Sequence, residues 1–330
     1  MKTILVAGGA GYIGSHMVAH LVENGYRVIV ADNLSTGHRD TVKDVPLYVG
    51  DIRDGAFLDR IFNENSIDGV INFAACSLVG ESVKEPLKYY ANNVMGSVSM
   101  LDAMRRHGIG YIVFSSTAAT YGEPEKQPIE EHDRTDPTNP YGATKLAIEG
   151  MLKWCEKAYG IRYAALRYFN AAGAAPEKGI GEDHAPETHL IPIVLAAALG
   201  KRSHIGIFGQ DYPTPDGTCI RDYIHVKDLA RAHLLALLHL EKTGDSGIFN
   251  LGSGTGYSVK EIVETARRIT GRPIPEKIEP RRPGDPSVLI AANKKAAEVL
   301  GFTPQLGLDA IIADAWAWHS SHPEGFGDRV

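Results

Sequence analysis

Tyr141 and Lys145 combine residue types and a spacing that could transfer a proton. Side chains four residues apart lie on one face of a helix, within one turn of each other. Because free tyrosine loses its proton near pH ~10, a base at neutral pH needs its pKa lowered by roughly three units, about 4 kcal/mol. A nearby ammonium favours the phenolate and lowers that pKa. The pair indicates a tyrosine base with a lysine partner, although the same spacing also arises by chance in helices.

The residues before Tyr141 predict how a helix would position it. Asn139 suits a helix N-cap and Pro140 suits the first helical position, so we predict a helix over 140–159. Tyr141 would then lie in the first turn. There the positive end of the helix dipole also stabilises a negative phenolate oxygen.

The alternation of short β-rich runs and helical stretches predicts the fold class. It is typical of an α/β protein with a Rossmann-type, doubly wound parallel sheet. Strands are predicted at 3–7, 27–32, 46–49, 69–73, 111–115 and 163–167, and helices at 14–24, 56–64, 87–107 and 140–159. We expect an NAD-binding domain over 1–170 and a smaller, mixed α/β substrate lobe over 171–330, with a strand at 247–251 rejoining the first sheet.

A glycine-rich turn after the first predicted strand indicates a dinucleotide site. Gly8, Gly11 and Gly14, with Tyr12 and Ile13 between them, lead directly into the first predicted helix. Such glycines allow a tight turn and close approach of the backbone to a pyrophosphate, which the helix N-terminus then faces. Three glycines alone are weak evidence, but their position after a strand strengthens the prediction.

Residues at the ends of later strands extend the predicted cofactor site. Asp32, about twenty residues beyond the glycines, could accept the ribose hydroxyls of NAD and would repel the extra phosphate of NADP. A simple turn aspartate before Asn33 is the alternative. Asp51 and Ile52 are placed to reach the adenine. The segment Phe73, Ala74 and Ala75 is placed to line the middle of the cofactor.

Composition and charge exclude several other classes of function. A formal net charge of −6 gives no basic footprint for nucleic acid. No run approaches the roughly 18 apolar residues of a membrane span. The three widely spaced cysteines show no metal-type pairing and the 13 histidines are scattered, so we expect no metal. A reduced, cytoplasmic setting fits this cysteine usage best.

The glycine turn and the Tyr-x-x-x-Lys pair together resemble the extended short-chain dehydrogenase/reductase superfamily. The segments 167–173 (RYFNAAG), 217–226 (GTCIRDYIHV) and 281–285 (RRPGD) narrow this to a close resemblance to the UDP-glucose 4-epimerase family. The resemblance runs from the first strand to beyond residue 300. It implies reversible oxidation at C4 of a UDP-sugar through a 4-keto sugar, with an NAD that stays bound, and a homodimer built from two long helices.

The resemblance also implies roles for individual residues. Tyr141 would be the base, Lys145 its partner and a ligand of the nicotinamide ribose, and Thr117 the hydroxyl that contacts the reacting sugar oxygen. Further cofactor contacts would come from Asn92, Ser115 and Tyr168. The substrate contacts would be Asn170, His189, Leu190, Phe208, Arg221, Tyr223, Arg282, Asp285 and Leu289, together with Thr117 and Tyr141.

The chemistry of the side chains independently supports some of these substrate-binding roles. Arg221 and Arg282 could clamp a diphosphate, because guanidinium binds phosphate with two parallel hydrogen bonds. Asp285 could accept from the uridine ribose. An isolated arginine is more commonly a solvated surface charge, and Thr117 could equally be a strand former or a cap.

Three positions depart from the family pattern. Ser77 stands where a cofactor-binding lysine is found in other members, so one phosphate contact is in doubt. His189 replaces an asparagine near the substrate diphosphate. Leu289 occupies a position that limits sugar size, and its intermediate volume leaves acceptance of N-acetylated sugars open.

Rival functions remain open at this stage. A dehydratase of the same superfamily typically carries Thr-Asp-Glu beside the active hydroxyl, whereas Ala118 and Ala119 follow Thr117 here. A nucleotide-sugar decarboxylase is a rival of the same kind, and a 4-epimerase of a UDP-pentose is a closer alternative. A non-catalytic NAD sensor is the alternative from another class, although a sensor has no need for a poised base.

Overall fold

A seven-stranded parallel sheet forms the centre of the protein in the computed structural model, which describes residues 1–282 and 285–327. Its strand order is β3-β2-β1-β4-β5-β6-β10, and every neighbouring pair is parallel. Within the described residues the strands are β1 (Thr3–Ala7), β2 (Arg27–Asp32), β3 (Leu47–Val49), β4 (Gly69–Asn72), β5 (Tyr111–Thr117), β6 (Arg162–Tyr168), β7 (Asn170–Ala172), β8 (Ile205–Phe208), β9 (Ile220–His225), β10 (Gly247–Leu251), β11 (Gly256–Ser258), β12 (Glu276–Glu279) and β13 (Val288–Leu289).

Helices cover both faces of this sheet, as the doubly wound prediction requires. In the same part of the chain the α-helices are α1 (Tyr12–Glu23), α2 (Gly55–Glu64), α3 (Val79–Lys84), α4 (Pro86–Tyr89), α5 (Met95–His107), α6 (Pro140–Tyr159), α7 (Leu190–Ala198), α8 (Val226–Thr243), α9 (Val259–Thr270), α10 (Lys294–Leu300) and α11 (Leu308–Ser321). α1 and α8 pack on one face of the sheet, and α2, α5 and α6 pack on the other. All five residues of β1 are therefore buried, and four of the five are apolar, as expected for a strand that is covered on both faces.

The second half of the chain contributes to both parts of the structure. β10 joins the edge of the large sheet beside β6, where the sequence predicted a returning strand. The remaining strands form two small sheets: β9 pairs with β7, β11 and β13, and β8 pairs with β12. A separate core beneath them is built from α7, α9 and α11.

The prediction of one continuous helix at 87–107 is wrong. The chain forms α4, then a π-helical turn at Tyr90–Val94, and then α5. A π-turn inserts one residue into the helical ladder and is often found at functional sites. Apolar periodicity does not reveal such an insertion, because the residues on either side keep their helical pattern.

Besides the predicted strand at 205–208, which is β8, the small strands of the C-terminal half were not predicted, and neither were α3 and α11. β7, β11 and β13 have only two or three residues each, which is too short for an alternating pattern. Pro283 and Gly284 of the predicted arginine-bearing loop lie outside the described residues. No helix in the described ranges is both long enough and apolar enough to cross a membrane.

Candidate active site

The first turn of α6 holds Tyr141 as the sequence predicts. Asn139 Oδ1 accepts a hydrogen bond of 2.9 Å from the backbone N–H of Gly142, and Pro140 is the first helical residue. Gly142 lets this turn approach the end of β5, because a Cβ there would lie 2.4 Å from the carbonyl oxygen of Ala119. The close approach brings Tyr141 beside Thr117, the last residue of β5.

Burial and a hydrogen bond act in opposite directions on the Tyr141 phenol. Burial raises its pKa to about 12, while a hydrogen bond with the Thr117 hydroxyl lowers it. We expected Lys145 and the helix N-terminus to lower the pKa of Tyr141, but without a ligand the effect of burial is larger. Positive charge from a bound ligand would lower the pKa of Tyr141.

Lys145 is placed one turn along α6 but contacts β5 rather than the phenol oxygen. Its side chain is 2% exposed, and Nζ donates a hydrogen bond of 2.7 Å to the carbonyl oxygen of Ser115. Nζ also lies 5.9 Å from the centre of the Tyr141 ring. Burial lowers the pKa of Lys145 to about 7, so its ammonium has little stabilisation before a polar ligand arrives.

The glycine turn provides a cradle that a Cβ atom would fill. Gly8 has φ +74°, and a Cβ on it would lie 2.6 Å from the backbone nitrogen of Ala74. A Cβ on Gly14 would lie 2.1 Å from the carbonyl oxygen of Gly8. α1 begins at Tyr12 with no side-chain cap among the described residues, so its N-terminal N–H groups can face an anion. Ile13 follows in the same first turn.

Asp32 closes this turn from the end of β2. Its carboxylate accepts hydrogen bonds from the backbone N–H of Ala10 at 2.9 Å and of Leu34 at 2.8 Å. Burial raises the pKa of Asp32, and these hydrogen bonds oppose that rise. The carboxylate therefore shapes the turn, and its contact with a cofactor ribose stays a prediction. Asn33 beside it is exposed and accepts from the N–H of Ser35 at 3.0 Å.

The other predicted cofactor residues lie at neighbouring strand ends. Asp51 forms an ion pair with Arg53, which lowers the pKa of its carboxyl, and Ile52 is buried. Ala74 donates its N–H to Asn72 Oδ1 at 3.1 Å, which positions Ala74 and Ala75 opposite the glycine turn. Ser77, the departure noted above, is exposed beyond them.

Sequence reasoning missed Asn93, whose neighbour Asn92 was predicted. Asn93 Oδ1 accepts from the N–H of Cys76 at 2.8 Å, and its Nδ2 donates to the carbonyl oxygen of Cys76 at 3.0 Å and to Thr144 Oγ1 at 3.1 Å. It fastens the loop after β4 to α6. Asn92 donates to Asn93 at 3.0 Å. The π-turn presents these two consecutive side chains, and an Asn-Asn pair inside an apolar helical pattern was the available signal.

Buried His233 on α8 was also missed. It packs against Phe73 and Tyr168, with ring centres 4.7 and 5.8 Å away, and the Tyr168 hydroxyl forms a short hydrogen bond with Ser115. His233 therefore supports two predicted cofactor residues, Phe73 and Tyr168, directly and a third, Ser115, through Tyr168. Its position on a helix face, three residues after Ala230, carried no sequence signal beyond ordinary core packing.

The predicted substrate residues of the C-terminal half gather around β9. In the ladders, Tyr223 is opposite Asn170 and Arg221 is opposite Leu289. The Arg221 guanidinium forms a short ion pair with Asp285 and donates to the carbonyl oxygen of Pro286 at 2.7 Å. Asn170 donates to the carbonyl oxygen of Asp222 at 2.8 Å.

Two further pairs of predicted substrate residues lie at this end of the molecule. The Arg282 guanidinium lies over the Phe208 ring, 4.0 Å from its centre. His189 is hydrogen-bonded to Glu182 and immediately precedes Leu190, the first residue of α7. The two arginines therefore have partners within the protein, and neither is directed freely at a diphosphate.

The arrangement combines a glycine cradle at a helix N-terminus with a buried hydroxyl–phenol–lysine group. The cradle, Asp32 and the strand-end residues fit a dinucleotide such as NAD: the backbone can approach a pyrophosphate and a carboxylate lies at the ribose position. Thr117, Tyr141 and Lys145 lie where the same sheet edge would present the reactive end of that cofactor. Such a group can hold and move a proton at an alcohol.

Known proteins resemble this chain closely. Residues 4–252 match the NAD dependent epimerase/dehydratase family. A UDP-glucose 4-epimerase of Halalkalibacterium halodurans is 60% identical over 324 residues, covering 98% of this chain and 97% of the relative. A crystal structure of a UDP-glucose 4-epimerase superposes with a TM-score of 0.97 at 52% identity, covering 99% of this chain and 100% of that chain.

A third relative was solved with ligands. The UDP-glucose 4-epimerase of Bifidobacterium longum in complex with NAD+ and UDP superposes with a TM-score of 0.93 at 40% identity, covering 98% of this chain and 100% of that chain. The likeness extends over both the sheet and the C-terminal lobe.

Proposed function

This chain belongs to the NAD dependent epimerase/dehydratase family, and we propose that it interconverts UDP-galactose and UDP-glucose by inverting C4 of the sugar. The observation that carries the proposal is the placement of Tyr141 in the first turn of α6, close to the end of β5 that bears Thr117 and one turn from buried Lys145. A binding protein would gain nothing from a buried phenol, hydroxyl and amine held together in this way. The 50–60% identity to curated 4-epimerases over nearly the whole chain supports the same reaction.

NAD, when bound, accepts a hydride from C4 and later returns it to the opposite face of the 4-keto sugar. Tyr141 takes the proton of the 4-hydroxyl in the first half of the reaction and gives it back in the second. Thr117, the last residue of β5, would donate to or accept from the same sugar oxygen, since a hydroxyl can do both. Lys145 would stabilise the phenolate once polar groups of the ligand relieve the burial of its own ammonium.

The substrate anchor requires an exchange of partners. Arg221 is neutralised by Asp285, so a UDP diphosphate would have to replace that carboxylate on the guanidinium. Asp285, once released, could accept from ribose hydroxyls. Arg282 can reach the same ligand from its position over Phe208. Binding through the UDP, far from Tyr141, leaves the sugar free to turn, and it places most binding energy on the part that does not react.

The sugar end of the pocket is set by Leu289, next to Arg221 in the β9–β13 ladder. Its half-buried side chain leaves more room than a tyrosine would, so we propose that N-acetylated UDP-sugars are slower substrates rather than fully excluded ones.

We further propose a homodimer that uses α3, α4, α5 and α6. These helices pack side by side and carry large apolar side chains in water, such as Leu87 at 82% exposed and Trp154 at 69%. Val83, Met95 and Val98 extend the same patch. A patch of this kind marks an interaction surface in most proteins. A cytoplasmic location is proposed as well, supported by three free cysteines.

The test is an assay with purified protein and no added cofactor, run in parallel on UDP-galactose, UDP-N-acetylgalactosamine and UDP-arabinose. We expect UDP-glucose from the first substrate at a rate well above the other two. Bound NAD without conversion of any sugar would instead favour a sensor. Conversion of UDP-arabinose alone would favour a pentose epimerase.

A further inference from the structure

Four side chains converge on one point in the loop before α7, and all but His189, a predicted substrate contact, have no predicted part in the reaction. They are Glu182, His184, Glu187 and His189, and their ligand atoms all lie within 4.8 Å of one another. Helical spacing does not reveal this group, because its two histidines are five residues apart in the sequence. The irregular loop instead folds back so that residues at spacings of two, three and two face each other.

The distances within this group match a small metal cage. His184 Nδ1 lies 3.1 Å from an oxygen of Glu182 and 3.7 Å from one of Glu187. His189 Nδ1 lies 2.5 Å and 3.6 Å from the same two carboxylates. Zinc binds nitrogen and carboxylate oxygen at about 2.0–2.2 Å in a tetrahedron, whose edges are then roughly 3.3–3.5 Å. Three of the four separations, 3.1, 3.6 and 3.7 Å, lie near that value. The fourth, at 2.5 Å, is a direct hydrogen bond between His189 and Glu182 that an ion would have to replace.

Two features separate a metal site from an ordinary cluster of ion pairs. Glu182 is almost fully buried, and its backbone carbonyl accepts from Trp318 Nε1 at 3.2 Å, so its carboxylate is fixed in place. The buried Nδ1 of His184 lies near that carboxylate but has no hydrogen bond of acceptable geometry among the described residues. A cation bound within the group would satisfy this nitrogen.

We propose that Glu182, His184, Glu187 and His189 bind one zinc ion. Two carboxylates and two neutral imidazoles balance the charge of a divalent cation, and mixed nitrogen and oxygen ligands suit zinc. Four protein ligands leave no open position, which is typical of a structural site rather than a catalytic one. His189 is half-exposed and gives the ion a path from solvent.

The position of the site suggests what the ion would hold together. His189 directly precedes α7, and Trp318 of α11 contacts the loop from below. The His184 ring lies 6.2 Å from the ring of Tyr12, at the start of the phosphate-binding helix. Zinc would therefore fasten the loop between the cofactor turn and the C-terminal lobe, and its removal should loosen this junction.

The test uses the purified full chain, stripped with a chelator and then titrated with zinc, with bound metal measured by mass spectrometry. We expect one zinc per chain and a chelator-sensitive rise in Tm. Cobalt substituted for zinc should give the intense visible bands of a tetrahedral site. His184→Ala should abolish binding, and Glu182→Gln, which keeps the side-chain shape, should weaken it at least tenfold.

The matched control is His132→Ala. His132 belongs to a second group, with Glu130 and Asp133, that is more exposed and has a lysine among its partners. This variant should bind zinc as the parent chain does. Failure of the parent chain to retain zinc, a cobalt spectrum of octahedral type, or equal loss in His132→Ala and His184→Ala would each overturn the proposal.

Discussion

The cofactor side and the substrate side of this molecule are built in different ways. Around the glycine turn, the backbone makes the site: Gly8 and Gly14 allow close approach, and Asp32 is held by backbone N–H groups. Around β9, side chains make the site, and Arg221 and Arg282 are occupied by Asp285 and Phe208. The first side is ready for a ligand, whereas the second must exchange partners to bind one. This difference agrees with a cofactor that stays and a substrate that leaves.

The largest effect is expected from Tyr141→Phe, which removes the proton carrier between the two sides. Loss of a positioned acid–base group typically costs about 10²–10⁴-fold, so kcat should fall by that factor while bound NAD and KM change little. Steady-state kinetics and the ultraviolet spectrum of the purified protein measure these quantities. Tyr159→Phe, at the exposed end of the same helix, should keep full activity. Near-normal turnover of Tyr141→Phe would disprove its assignment as the base.

Gly14→Ala should break the backbone-built side. The added methyl would lie 2.1 Å from the carbonyl oxygen of Gly8, so the turn must open and the cofactor cradle is lost. We expect at least several-fold less NAD in the purified protein. Gly150→Ala is the control, because a Cβ at that helical position meets nothing within 4 Å. A Gly14→Ala protein that keeps its full NAD content would mean that the turn does not form the pyrophosphate site.

Arg221→Lys should affect the side-chain-built side alone. Lysine keeps the charge but cannot bind phosphate with two parallel hydrogen bonds, so KM for UDP-sugars should rise about tenfold, equivalent to ~1.4 kcal/mol. NAD content should not change. Arg268→Lys, which alters a surface pair with Asp309, is the matched control. A fall in NAD content with unchanged KM would contradict the separation of the two sides.

The smallest effect concerns stability in acid on the cofactor side. Burial lowers the pKa of His233 to about 4, below its ordinary value of 6.5. The unfolded chain therefore binds a proton that the folded chain does not, and stability falls as pH drops from 6.5 toward 4 by up to about 1.4 kcal/mol per unit. In urea unfolding, the free energy of unfolding of His233→Leu should depend less on pH over that range than that of the parent protein. An identical pH dependence in both proteins would count against a neutral, buried His233.

The same contrast explains what the sequence could predict. Strands such as β1 and β2 and the N-cap of α6 follow from local residue preferences, and the structure has them at the predicted residues. The predicted family, fold, NAD cofactor and reaction are confirmed by the comparisons. The roles of single residues remain predictions.

Other features depend on contacts between distant segments and could not be read locally. The Arg221–Asp285 pair joins residues 64 positions apart, and Asn93 meets Thr144 across 51 positions. The raised pKa of Tyr141 reflects burial by the whole fold, whereas the sequence showed only the neighbouring charge and the helix end. The substrate residues were predicted only from the family resemblance, because the periodicity of apolar residues carries no information about them.

The most direct test of the account follows the hydrogen at C4. UDP-galactose labelled with deuterium at C4 is converted in ordinary water, with no cofactor added, and the product is examined by proton NMR. Because the hydrogen is held inside the site while Tyr141 exchanges only the hydroxyl proton, we predict UDP-glucose that keeps its deuterium at C4. Loss of the label to solvent would mean that C4 is inverted by proton abstraction from carbon, and it would contradict the proposed roles of NAD and Tyr141.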